Sequence, residues 1–139
     1  MRFMMMVKAS PETEANVLPT EAQFAEMGAY NEELIKAGVM RDGMGLQSSQ
    51  KGARIHIKDG KRWVEDGPFA ETKELIAGFW IIEVASKEEA VAWALKVPHP
   101  HFDDSSETNI ELRQIFEMED FGESEAIDKM RELQVGSLS

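Results

Sequence analysis

Two short runs, RFMMMVK (residues 2–8) and GFWIIEV (residues 78–84), constrain this chain more than any other feature. A β-strand sends alternate side chains to opposite faces. In the first run Phe3, Met5 and Val7 share one face, and Met4 and Met6 the other. The second run is likewise apolar on both sides. A sheet holding such strands needs cover on both faces, because soluble proteins rarely leave a large apolar patch bare.

The covering elements are few. Thr20 and Gln23 form a capping-box start, and a helix is expected over residues 21–37, with Phe24, Met27, Leu34 and Ile35 as its apolar stripe. Gly38 is placed to stop it. Ser86 and Glu89 open a second helix over residues 87–96, turning Ala90, Val91 and Ala94 inward and ending before Pro98. Between them lie an irregular strand (39–46) and a hairpin. Its first arm, 53–58, alternates with Ala53, Ile55 and Ile57 inward, and Asp59-Gly60 supplies the turn into 61–65. A last strand is expected over 109–118, and a short amphipathic helix over 124–134 through Ile127, Met130 and Leu133.

The order β-α-β-(hairpin)-β-α-β is an α+β, ferredoxin-like arrangement with an inserted hairpin. Two helices cover one face of such a sheet. A second copy of the chain, packed sheet to sheet about a two-fold axis, is the simplest cover for the other, so a homodimer is expected. The tail helix is the alternative cover.

Composition narrows the function classes. The chain of 139 residues is about one domain and has no cysteine, which excludes disulfides and thiolate chemistry. Its formal charge of −11 disfavours nucleic acid and anionic lipid as partners. The apolar start is too short for a signal sequence or a membrane span, so the cytoplasm is the expected location. Neither a nucleophile elbow, a phosphate loop nor a zinc-protease helix occurs, and no cofactor is expected.

The runs RFMMMVKAS, EELIKAGVM, DGKRWVEDGPFAETKELIAGFWIIEV and IELRQIFEMEDFG together resemble the YCII-related, or DGPF-domain, family. The resemblance covers residues 1–122 and leaves 123–139 as a C-terminal extension. It implies a dimeric α+β barrel and no established general reaction. Shorter YCII-like relatives carry a His on the first helix and an Asp after the second, read as an acid/base dyad. Here those positions fall at Met27 and near Val97-Pro98, so the dyad does not carry over.

Two polar segments remain as candidate sites. In DGPFAETKE (66–74), Asp66 to Phe69 read as an Asx-type turn followed by a plug for the core. The rest is either a solvated charged loop or a site, with Asp66 or Glu71 as general base and Lys73 holding an oxyanion. In PHPHFDD (98–104), His99, His101, Asp103 and Asp104 are potential ligands for a divalent ion, or a turn with exposed histidines. His56, between Arg54 and Lys58, reads as a surface residue. Trp63, Trp80 and Trp93 read as core or interface, and the nine methionines as adaptable packing. Three functions stay open: a small-molecule enzyme with its cleft beside the DGPFAETKE loop, a non-catalytic ligand-binding or regulatory module, and a structural dimerisation domain.

Overall fold

The computed structural model describes residues 1–101 and 105–133. Four strands, β1 (Arg2–Lys8), β2 (Met40–Gly45), β5 (Ile76–Glu83) and β6 (Ile110–Gln114), form an antiparallel sheet in the order β2-β5-β1-β6. Counting only these four, that is the ferredoxin-like order. The inserted β3 (Ala53–Lys58) and β4 (Lys61–Asp66) pair only with each other, as a separate two-stranded sheet. Asp59 (φ 50°) and Gly60 (φ 76°) make its turn, since both adopt the left-handed conformation that Asp-Gly tolerates.

The helices are α1 (Pro11–Glu14), α2 (Glu21–Lys36), α3 (Lys87–Ala94) and α4 (Glu125–Glu132). The Thr20/Gln23 capping box starts α2 as the sequence predicts. Gly38, at φ 73°, ends it, with backbone bonds from Gly38 to Ile35 and from Val39 to Leu34. The segment between β1 and α2 contains the single turn α1, capped by Ser10.

Register decides which residues meet the helices. Phe3, Met5 and Val7 of β1 stand opposite Ile82, Trp80 and Gly78 of β5, and opposite Gln114, Leu112 and Ile110 of β6. This face builds the core with Tyr30 and Leu34 of α2, Val39, Val84 and Ala90. The Tyr30 hydroxyl donates to the Trp93 carbonyl at 2.8 Å, and its ring meets Trp80 edge-on at 5.4 Å. Burial pushes the Tyr30 phenol well above its ordinary pKa, and Glu33 adds to the shift.

Three packing expectations need correction. On α2 the inward stripe is Met27, Tyr30 and Leu34, while Phe24 and Ile35 are 60% and 62% exposed. A shift of the stripe by a fraction of a turn is enough to do this, because apolar residues occur on more than one side of α2. On α3, Ala90 and Ala94 face the core but Val91 is exposed. In the hairpin, Ile55 and Ile57 are exposed rather than inward, since β3 and β4 join no other strand.

The opposite sheet face is only partly covered within one chain. Met4 and Met6 are half-buried, Ile81 is buried, and Arg2 is buried where its guanidinium forms a two-pronged ion pair with Glu117. That bond raises the pKa of Arg2. The last strand ends at Gln114, so Met118 lies in a 3₁₀ turn (Met118–Phe121), where it is buried. Residues 134–139 and Asp103 and Asp104 lie outside the described residues.

Candidate functional site

The DGPF loop is a bracket around Ser49. At Gly67 an added Cβ would lie 1.7 Å from the Ser49 carbonyl oxygen, so only glycine fits. The Gly67 N–H donates to the Gly52 carbonyl at 3.0 Å, and the Phe69 N–H to Ser49 Oγ at 3.0 Å. Ser49 Oγ in turn donates to the carboxylate of Glu14, which also accepts from the Ser49 N–H at 2.9 Å. The loop therefore ties the base of the hairpin to α1. Phe69 is no core plug. It is half-buried, its ring lies 3.9 Å beneath the Arg54 guanidinium, and it lines a shallow cleft with Ser48, Leu75 and Ile76.

Asp66, Glu71 and Lys73 are all exposed. The expected Asx-type bond is missing: the Asp66 side chain takes no backbone N–H among the described residues. Lys73 lines a polar cleft of about 530 Å³ with Lys8, Ser10, Glu12, His101 and Glu107. Asp66 and Glu71 line neither this cleft nor the apolar one described next. At the polar cleft, Lys8 Nζ donates to Glu111 at 2.9 Å and holds that carboxyl below the usual range.

The two histidines are engaged by their own loop. His99 Nε2 bonds the Ser106 carbonyl at 3.0 Å, and its Nδ1 accepts from the His101 N–H at 3.2 Å. A carbonyl only accepts, so the hydrogen sits on Nε2. His101 Nε2 likewise meets the Lys8 carbonyl at 3.2 Å, with Nδ1 3.4 Å from Ser106 Oγ. Among the described residues no three potential ligands cluster. The pair fastens the loop to β1. Elsewhere, His56 bonds Glu65 at 2.7 Å and stacks on the exposed Trp63.

Sequence reasoning missed a second cleft, of about 300 Å³, between α2 and the β2–β5 strands. Met27, Met44, Phe79, Trp80, Pro19 and Pro100 line it, together with Asn31. Gly43 and Gly78 keep its floor low: a Cβ on Gly43 would lie 2.7 Å from Met40 Cε, and one on Gly78 would lie 3.0 Å from the Met44 carbonyl. The indole N–H of Trp80 donates to Asn31 Oδ1 at 2.8 Å. This bond fixes the amide so that its Nδ2, with two donors, makes no bond to the described protein. Among the described residues Lys8 is the only titratable side chain on the lining. No sequence signal marks the pair, because Asn31 and Trp80 lie 49 residues apart.

Comparison with known proteins follows this geometry. An uncharacterised protein of Rhizobium meliloti is 34% identical over 74 residues, covering 53% of this chain and 60% of that protein, so the match spans less than two thirds of the relative's length. Among solved structures, a 5-chloro-2-hydroxyhydroquinone dehydrochlorinase of Burkholderia phenoliruptrix, in complex with 2,5-dihydroxybenzoquinone, aligns over 82% of this chain and 92% of its own, with 16% identity and a TM-score of 0.43. No helix among the described residues is long and apolar enough to cross a membrane. The YCII-related domain model matches residues 1–119, and the chain belongs to that family.

Proposed function

We propose that this protein binds a small, mostly apolar molecule carrying a hydrogen-bond acceptor, in the cleft between α2 and the β2–β5 strands. The observation that carries the reading is the Trp80–Asn31 bond at 2.8 Å. It commits the amide oxygen and leaves the Nδ2 donors to recognise a carbonyl, phenol or carboxylate oxygen. Apolar walls with one fixed polar group are the usual construction of a ligand pocket, and 300 Å³ is at the small end of the range. Met27 and Met44 let the walls adapt to the guest.

Binding without proton transfer is the favoured form of this reading. Among the described residues the lining offers no carboxylate and no histidine, and its lysine is engaged by Glu111. Acetophenone, an aromatic ketone of suitable size, is a direct probe. Titrated into labelled protein, it is expected to shift the Asn31 side-chain amide, the Trp80 indole N–H and the amides of Gly43 and Gly78. Shifts scattered over the surface, or none at millimolar probe, refute the site.

A second reading places an enzyme at the polar cleft, where Lys73 and His101 share a lining. There Lys73 would hold an anionic group of the substrate. Benzoate serves as its probe, and Lys73→Met is expected to abolish benzoate shifts around Ser10 and Asn109 while leaving acetophenone binding intact.

A further inference from the structure

We propose that the ligand held at Asn31, on the reading of that cleft as a binding site, is elongated: its acceptor sits at Asn31 and an uncharged apolar tail runs past Met27 into a second cleft. That second cleft, of about 120 Å³, opens beside the N-terminal half of α2. Thr13, Pro19, Met27 and Pro100 line both clefts, so the two share one wall. Within that wall Met27 alone has a long, unbranched side chain that can change rotamer at little cost. It is half-buried, and turning it aside joins the clefts. Met27 therefore decides how long a guest can be.

The helix sets the direction of the tail. Asn31, Met27 and Gln23 follow one another at intervals of four along α2, a spacing that puts them on one face. At about 1.5 Å per residue, Met27 lies about 6 Å and Gln23 about 12 Å from Asn31 along the axis. A guest anchored at Asn31 thus extends toward the start of α2, where the second cleft lies.

The far cleft suits an apolar end. Val17 and Phe24 line it and are 47% and 60% exposed. Val17 is fixed in place: Asn16 turns the chain at φ 62°, a conformation Asn tolerates, and the Val17 N–H donates to the Glu12 carbonyl at 2.9 Å. The polar side chains nearby are already committed. Gln23 and Thr13 serve their capping boxes, and Gln23 also donates to the His101 carbonyl at 3.4 Å. Among the described residues the lining carries Glu26 and no lysine or arginine, so an anionic end is repelled there and belongs at Asn31. The volume matches about four groups the size of a water molecule, at ~30 Å³ each, which is a butyl chain.

The test compares acetophenone with para-butylacetophenone by NMR titration of the full chain. Each buried methylene is worth about fourfold in affinity. The butyl compound is expected to bind at least about tenfold more tightly, a bound that leaves room for the cost of moving Met27. It should reproduce the acetophenone shifts at Asn31 and Trp80 and add new ones at Val17 and Phe24. Phe24→Gln, at an exposed position, should cut the gain by at least about threefold. Ile35→Gln, exposed on α2 and outside both linings, should keep it. Equal affinities for the two ketones, shifts that stop at Met27, or a full gain in Phe24→Gln overturn the proposal and leave the Asn31 cleft standing. Loss of the Asn31 and Trp80 shifts with both ketones refutes the cleft and its extension together.

Discussion

Gly67→Ala tests the reading of the DGPF loop as a bracket. The new methyl group would start 1.7 Å from the Ser49 carbonyl oxygen, where an ordinary contact begins at 3.4 Å. The loop must therefore retreat by about 1.7 Å, the difference between those distances. The bonds from Gly67 N–H to the Gly52 carbonyl and from Phe69 N–H to Ser49 Oγ, both 3.0 Å, would then pass beyond bonding distance. Each lost bond costs about 1 kcal/mol, and groups stranded away from water add to that. The expected loss is about 2–4 kcal/mol in urea-induced unfolding. Gly28→Ala is the counterpart. Gly28 lies inside α2 and a Cβ there meets nothing within 4 Å, so the same change should stabilise by about 0.5–1 kcal/mol. A loss at Gly67 below about 0.5 kcal/mol, on the scale of an ordinary surface substitution, would refute the bracket.

Two further predictions follow from the same contacts. Ser49→Ala removes the acceptor for Phe69 and the hydroxyl partner of Glu14, and should cost about 1–3 kcal/mol by urea titration, with faster amide exchange at Phe69. The Glu111 carboxyl is depressed chiefly by its bond to Lys8, so its contribution to stability is present above the unfolded value, near ~4.3, and is lost as pH falls through the lower folded value. Lys8→Met should move the Glu111 titration upward in carbon-detected NMR, and an unchanged titration would contradict the pairing.

The strand order was legible because each strand carried its own signal. A run apolar on both faces marked β1, alternation marked β3, Asp59-Gly60 marked the turn, and capping boxes marked α2 and α3. What could not be read was which side of an element faces the core. Phe24 and Ile35 are as apolar as Met27 and Leu34, and only the docking angle of α2 leaves the former outside. Ile55 and Ile57 show the same limit from the strand side, since alternation reports a shared face without saying what that face meets. The site was legible in fragments. DGPF was conspicuous, yet Gly67 owes its place to Ser49, 18 residues away in sequence, a contact no local pattern carries. Lys73 and His101 were each singled out, but their common cleft comes from the long loop after α3. Asn31 and Trp80 are 49 residues apart and were joined only by folding.

The most direct test of the ligand cleft is Asn31→Asp. The replacement keeps an oxygen for the Trp80 indole N–H and exchanges the amide donors for a carboxylate oxygen that cannot donate. Acetophenone affinity is then measured by NMR titration against wild type, with Trp80 indole shifts in the free protein confirming that the bond persists. The account predicts that the variant stays folded, keeps the indole bond and binds acetophenone at least about tenfold more weakly, the equivalent of one lost hydrogen bond. Equal affinity in the two proteins, with the indole bond intact, would contradict it.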